Sequence, residues 1–277
     1  MSGPAGIVLA GGRSSRMGTP KAALEWHGST LLRRTAGILA RASDGPVLVV
    51  RAPGQRLPEL PARVGVVDDP REGLGPLQGL AAGLAAVAGL ADAAFVCSTD
   101  LPFLHPAFVC RVLRTLGDGA DVALPVARGH PQPLAAAYRT RLATVAERLV
   151  QERRLRPAFL FERCTVARLD EAALRADPAL AAADPGLDSL VNVNEPREYR
   201  AARARPAPEI MVWEPGAEAA RPVRAATVAA AAAAVGLSLG GSVTAALNGG
   251  VVTGDGQMPL VAGDAVSFRR PSRGSRR

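Results

Sequence analysis

Lysine is almost absent from this chain of 277 residues. Lys21 is the only one among 33 basic side chains, so elsewhere a positive charge is an arginine. An ammonium is a compact point charge with three donors, whereas a guanidinium is a broad planar fork. A lone lysine kept against that bias marks a place where the fork does not fit. Aromatic residues make up only 4% of the sequence, so Ala, Val and Leu must do the packing. The net charge of +8 would suit a polyanion. The arginines are dispersed singly, however, and few rings are present on which bases could stack. Small anionic substrates are expected rather than nucleic acid.

Cysteines are few. Cys97, Cys110 and Cys164 are odd in number and widely spaced, which excludes a zinc-ligand pattern and suggests buried, reduced thiols. No apolar run reaches the length needed to cross a membrane, and the stretch Ala229 to Ala234 is too short. The start, Met1-Ser2-Gly3-Pro4-Ala5, lacks a basic leader. A cytoplasmic location without membrane attachment is the expectation. Familiar catalytic signatures are missing too. A Walker A loop has four residues between its glycines and then Gly-Lys-Ser/Thr. Here five separate Gly12 from Gly18, and Lys21 comes later. There is no G-x-G-x-x-G after the first strand and no G-x-S-x-G. His27, His105 and His130 share no obvious partner set. A P-loop ATPase, a nicotinamide enzyme and a Ser-His-Asp hydrolase are all disfavoured.

What is present is an alternation of short apolar strands with amphipathic helices. Strands are expected at Gly6–Ala10, Pro46–Arg51, Val64–Val67, Ala93–Cys97, Val122–Pro125, Leu134–Tyr138 and Thr165–Leu169. Helices are expected at about 31–42, 76–88, 106–116 and 140–152. This pattern predicts an α/β fold with a largely parallel sheet, in which ligands bind beyond the carboxyl ends of the strands. Three polar clusters fall at such ends. A glycine-rich, cationic loop, Gly11-Gly12-Arg13-Ser14-Ser15-Arg16-Met17-Gly18-Thr19-Pro20-Lys21, follows the first strand. Asp68 and Asp69 follow the third, and Asp100 the fourth. Backbone N–H groups of Gly11 and Gly12, with Arg13, Arg16 and Lys21, would suit phosphates. Asp100 could hold a hard cation through oxygen, or it could cap the helix that begins near Pro102 or His105.

Leu9-Ala10-Gly11-Gly12-x-Ser14-x-Arg16-Met17-Gly18-x-x-Lys21 resembles the signature of the nucleotidyltransferases that act on molybdenum cofactor. Gly75-Pro76-Leu77-x-Gly79 and Asp100-x-Pro102-Phe103 agree with it. Asn192-Val193-Asn194-x-Pro196 is similar to the molybdenum cofactor guanylyltransferases in particular. The resemblance spans roughly residues 5 to 203. It implies a Rossmann-like nucleotidyltransferase α/β/α sandwich that joins the GMP part of GTP to molybdopterin and releases pyrophosphate, with Mg²⁺ as cofactor. Carried over by position, Leu9, Ala10, Gly11, Gly12, Lys21, Asp68 and Asp100 would contact GTP. Asp100 would also hold Mg²⁺, Lys21 and Arg16 would stabilise the leaving pyrophosphate, and Asn192 and Asn194 would lie near the pterin. Arg51 stands where guanylyltransferases usually carry an Asn that helps hold the base. Cytidylyl transfer, transfer to a sugar phosphate and an inactive nucleotide-binding scaffold remain the alternatives.

The pattern changes after Arg203. Residues 204–208 read as a linker, and residues 209–270 as a β-α-β-β unit with a hairpin signal at Asn248-Gly249-Gly250. Residues 271–277 read as a disordered basic tail. Ala246 to Val252 and Pro259 to Val266 resemble the ubiquitin-like β-grasp sulfur carriers. Those proteins end in a diglycine, whereas this sequence ends Ser272-Arg273-Gly274-Ser275-Arg276-Arg277. The resemblance therefore implies a docking or structural role. Other molybdenum cofactor biosynthesis proteins or acceptor molybdoenzymes would be the partners. The expectation is a domain of residues 1–203 that stays active without the rest.

Overall fold

The computed structural model describes residues 3–11, 20–71, 73–117, 119–240 and 243–269. Gly12 and Arg16, and the tail expected at 271–277, lie outside these described residues. The chain divides into two compact units. One comprises Met1–Leu24 with Leu31–Tyr199, the other Glu25–Thr30 with Arg200–Arg277.

The first unit begins with β1 (Ala5–Leu9), buried along its whole length. The chain then forms a hairpin of β2 (Glu25–Trp26) and β3 (Ser29–Thr30) and continues into α1 (Leu31–Ala42). There follow β4 (Val47–Arg51), β5 (Val64–Asp68), α2 (Pro76–Val87), β6 (Ala93–Ser98) and α3 (Pro106–Arg114). Next come β7 (Val122–Ala127), β8 (His130–Pro131), β9 (Ala135–Arg139), α4 (Ala143–Gln151) and α5 (Pro157–Phe161). β10 (Val166–Leu169), α6 (Glu171–Arg175), α7 (Pro178–Ala183) and α8 (Pro196–Arg203) complete the series. The sheet order is β10-β7-β9-β6-β1-β4-β5, with β8 paired to β7.

β1 pairs in parallel with β4 and β6. Its near-continuous apolar sequence is what a strand covered on both faces requires. Successive residues of β1 show which helices cover it, because side chains alternate between faces. A β-carbon on Gly6 would lie 2.9 Å from the Leu39 β-carbon of α1. On the other face, a β-carbon on Gly83 of α2 would lie 2.7 Å from Ile7 Cγ2. Helices α1 and α2 thus sandwich the sheet. The small residues of α2 let it sit closer than any larger side chain would allow.

The expected largely parallel sheet has two reversed strands, the short β8, which runs antiparallel to β7, and β9. β9 runs antiparallel to both β6 and β7. A parallel crossover needs a dozen or more residues. The link from Ala127 to Ala135 is shorter than that and holds only β8, so β9 must turn back.

The second unit contains β11 (Glu209–Trp213), β12 (Arg221–Arg224), α9 (Val228–Ala234), β13 (Thr244–Leu247), β14 (Val251–Thr253) and β15 (Ala265–Arg269). The strand order is β12-β11-β15-β13-β14. β11 and β15 pair in parallel at the centre, and every other neighbouring pair is antiparallel. Ile210, Val212, Val228, Leu260, Val266 and Phe268 form its core. Asn248 and Gly249 adopt positive φ in the turn between β13 and β14, as the sequence signal implied. β12, which was not expected, contains Pro222. Proline is tolerated there because β12 is an edge strand with no neighbour on its far side.

The β2–β3 hairpin groups with this second unit, although its sequence lies within residues 1–203. Ser29 Oγ donates to Gln257 Oε1 at 3.3 Å, and Glu25 pairs with Arg203. Burial pushes the Glu25 carboxyl up, but the Gly28 amide and Arg203 outweigh it and hold the group below its ordinary range. Trp26 is 3% exposed. A chain ending at Arg203 removes Gln257 and leaves Trp26 as its only tryptophan. Its fluorescence is expected to shift to the red relative to full-length Trp213→Phe. An unshifted emission maximum would show that the hairpin keeps its packing alone.

Candidate active site

The carboxyl ends of β1, β4, β5 and β6 open onto one cavity of about 530 Å³ within the first unit. A concave site at the strand ends is the usual ligand position in such sheets. Leu9, Ala10 and Gly11 form one wall. The Ala10 amide donates to Val50 O at 2.8 Å, which extends the parallel ladder one residue past β1. A β-carbon on Gly11 would sit 3.2 Å from the Ala52 nitrogen, so the two backbones approach closely there.

A side chain not anticipated from the sequence braces this wall. Gln55 Nε2 donates to Ala10 O, and Gln55 Oε1 accepts from the Ala52 amide, both at 3.0 Å. One neutral side chain thereby joins the loops after β1 and β4. Nothing in the local pattern signalled it, because both bonds go to backbone. Arg51 lies beside this brace. Its Nε contacts Asp68 Oδ1 at 2.6 Å, and its Nη1 donates to Gln55 O at 3.1 Å.

The two aspartates at the end of β5 separate: Asp68 is its last residue and Asp69 follows it. Asp68 is 55% exposed and paired with Arg51, and it is not part of the cavity lining. Asp69 is. Alternation along the strand explains the split, since successive side chains point to opposite sides. Burial pushes the Asp69 carboxyl above its ordinary range, and the hydrogen bond from the Arg71 amide only partly offsets this. On the same cavity, Gly75 precedes α2 with φ +78°, a conformation that glycine adopts without strain.

Asp100 follows β6. Its Oδ1 accepts a short hydrogen bond from Ser98 Oγ, and its Oδ2 lies 3.1 Å from Lys21 Nζ. Lys21 opens a 3₁₀ turn, Lys21–Ala23. Its Nζ also donates to Asn194 Oδ1 at 2.8 Å. The side chains of Lys21 and Asp100 are 18% and 15% exposed, so the pair faces the cavity while largely sheltered from water. Asp100 does not cap the following helix. His105 does, accepting from the Ala107 amide through Nδ1 at 3.1 Å.

Asn192 donates to Leu190 O at 3.4 Å and is not among the lining residues. His130 lies exposed on β8. Cys97 is buried as expected, whereas Cys110 and Cys164 are only half-buried, and all three are free thiols.

Among the described residues, no three His, Cys, Asp or Glu side chains cluster as a metal cage. A lone carboxylate still suits a hard cation such as Mg²⁺, which keeps several waters and binds through one or two carboxylates plus substrate phosphates. Asp100, on the cavity lining, could serve as such a carboxylate. No helix among the described residues is long and apolar enough to cross a membrane.

The family profile described as MobA-like NTP transferase domain matches residues 6–172. A Mycobacterium avium protein named "Probable molybdenum cofactor guanylyltransferase" is 43% identical over 150 residues, covering 53% of this chain and 74% of that protein. A Mycobacterium tuberculosis protein of the same name is 45% identical over 151 residues, covering 53% and 73%. The crystal structure of molybdopterin-guanine dinucleotide biosynthesis protein A from Archaeoglobus fulgidus superposes with a TM-score of 0.56 at 21% identity. It covers 72% of this chain and 96% of that one, and it shares the fold.

Proposed function

The chain belongs to the MobA-like NTP transferase family, and from that premise we propose that it transfers GMP from GTP to molybdopterin. A phosphate oxygen of molybdopterin attacks the α-phosphorus of GTP, the bond from that phosphorus to the α–β bridging oxygen breaks, and pyrophosphate leaves. The observation that carries this reading is Lys21 beside Asp100 at the strand ends, on a cavity that also holds Gly11. Nucleotidyl transfer requires no protein nucleophile, and no catalytic Ser or Cys is needed. Catalysis is positioning plus electrostatic stabilisation of phosphate charge.

In this reading Lys21 meets the charge that develops on the departing pyrophosphate, and the Gly11 backbone lies against the phosphates. Arg16 and Gly12, which lie outside the described residues, are assigned to the same loop by the family resemblance. Asp100 would hold a divalent cation, Mg²⁺ in the first instance. Such an ion neutralises phosphate charge when bound.

Asp69, rather than Asp68, is proposed for the base. Guanine presents two neighbouring donors, its N1–H and its exocyclic amino group, to one carboxylate. Cytosine presents only an amino donor on that edge, so CTP satisfies Asp69 less well. Arg51 is already engaged by Asp68 and Gln55 and stands behind this wall.

The second unit is proposed to be a β-grasp domain. Its support is the central parallel pair of its first and last strands, with α9 packed against the sheet. Docking of an acceptor molybdoenzyme or of another molybdenum cofactor biosynthesis protein is the role assigned to it. The family and the Lys21, Asp69 and Asp100 side chains on the cavity support GTP and molybdopterin as the substrates, and the cytoplasm is the proposed location.

Pyrophosphate release from GTP, CTP and ATP, with molybdopterin and Mg²⁺ present, tests the reaction. GTP is expected to be turned over fastest. Faster release from CTP would replace this reading by cytidylyl transfer. No release from any nucleotide would leave only a binding scaffold.

The Asp69 role has its own pH signature. Only the ionised carboxylate accepts both guanine donors, and burial raises its pKa in the free protein. GTP affinity is therefore expected to be full at neutral pH. It should fall as pH drops through that raised pKa, above the ordinary carboxylate range. Titrations of GTP across pH should show this acid limb in the wild type and not in Asp69→Asn, which binds GTP weakly throughout. An identical acid limb in both proteins would remove Asp69 from base recognition.

A further inference from the structure

Lys21 Nζ ends on two oxygens of different charge. It lies 3.1 Å from the carboxylate oxygen Asp100 Oδ2 and 2.8 Å from the amide oxygen Asn194 Oδ1. The neutral acceptor makes the shorter contact. Resemblance to the guanylyltransferases puts Asn194 on the pterin side. In this chain its side-chain oxygen points at the ammonium.

Asn194 is itself firmly placed. Its backbone amide donates to Glu198 Oε2 at 2.6 Å, and the Glu195 amide donates to the same oxygen at 3.1 Å. This is a helix-start arrangement in which a side chain one turn ahead satisfies amides at the entry to α8. The preceding Val193 amide donates to Asp100 O at 3.0 Å. The segment carrying Asn194 is therefore tied to the Asp100 backbone on one side and to α8 on the other. Lysine, by contrast, reaches out on a flexible four-carbon stem whose head is costly to immobilise.

We propose that Asn194 is a positioning residue for Lys21, acting on the nucleotide rather than on the acceptor substrate. The proposal rests on the reading that this cavity takes GTP. An ammonium held by Asp100 alone would depend on that carboxylate remaining uncompensated. Once a cation or phosphate changes the charge around Asp100, the attraction between the pair changes with it. An amide oxygen carries no net charge and keeps its hold. Asn194 thus fixes the ammonium in place both before and after the nucleotide enters. This also accounts for the lone lysine, because a point charge can sit between two single oxygens, whereas a planar fork spreads its donors apart.

A double-mutant cycle on the full chain tests this, with GTP affinity measured by calorimetry in the presence of Mg²⁺. The proteins are wild type, Asn194→Leu, Lys21→Met and the double variant. Asn194→Leu is expected to weaken GTP binding about tenfold, equal to about 1.4 kcal/mol. In the Lys21→Met background the same change is expected to have no effect, because its only route is through the ammonium. Thermal melts accompany each protein, and Asn194→Ser replaces Asn194→Leu should the latter unfold. Two results would overturn the proposal. One is a tenfold loss that persists in the Lys21→Met background. The other is unchanged GTP affinity with a raised KM for molybdopterin, which would return Asn194 to the acceptor side. Absence of GTP binding in the wild type itself would instead overturn the functional reading, and the proposal with it.

Discussion

A single cation bridges parts of the chain far apart in sequence. Lys21 and Asp100 are separated by 79 positions and Lys21 and Asn194 by 173, yet the three side chains meet at one ammonium. Each arrives by a different route. Lys21 stands on a 3₁₀ turn, Asp100 just beyond β6, and Asn194 just before α8. Like and unlike charges in a sheltered cavity interact far more strongly than in bulk water. The node therefore constrains how the strand ends can be arranged.

The sheet beneath the node is built from small residues because the helices must come close. Gly6 meets Leu39 and Gly83 meets Ile7 with no room for a β-carbon. A β-carbon at Gly83 would overpack a fully buried contact, at a cost of about 1–3 kcal/mol. That exceeds the roughly 1 kcal/mol that alanine offers over glycine as a helix former. The scarcity of aromatics and this close packing are two sides of one design. Few large rings are available, so cores are filled by bringing backbones together. The same closeness appears at the cavity, where Gly11 lies against Ala52 and leaves backbone exposed to a ligand.

Much of this was legible in the residues. β1, β4 and β6 announce themselves as continuous apolar runs, since strands covered on both faces have no polar alternation to hide, and β5 reads the same way although it is the edge strand and its Val66 is exposed. The convergence of Gly11, Asp69 and Asp100 followed from their places at the carboxyl ends of parallel strands, whereas Asp68, expected with them, lies outside the cavity. Other features depend on partners that pattern cannot name. Choosing Asp69 over Asp68 requires knowing which face of β5 looks into the cavity. The Gln55 side chain braces backbone groups, so no spacing betrays it. β12 hides behind Pro222, which excludes a central strand but not an edge one. The Glu25–Thr30 hairpin groups with the second unit through Gln257 and Arg203, contacts made from hundreds of positions away or nearly so. Local periodicity carries no trace of them.

The account turns on an ammonium at position 21, and substitution of that one atom group tests it most directly. Initial rates of pyrophosphate release should be compared for wild type, Lys21→Ala and Lys21→Arg under identical GTP, molybdopterin and Mg²⁺. Removing a charge-stabilising donor is expected to lower kcat by about 10² to 10³ in Lys21→Ala. Lys21→Arg keeps the charge but cannot place a single point donor between Asp100 Oδ2 and Asn194 Oδ1, and it is expected to remain well below wild type. A Lys21→Arg enzyme that works at the wild-type rate would contradict the account, for the site would then need only a positive charge and not this one.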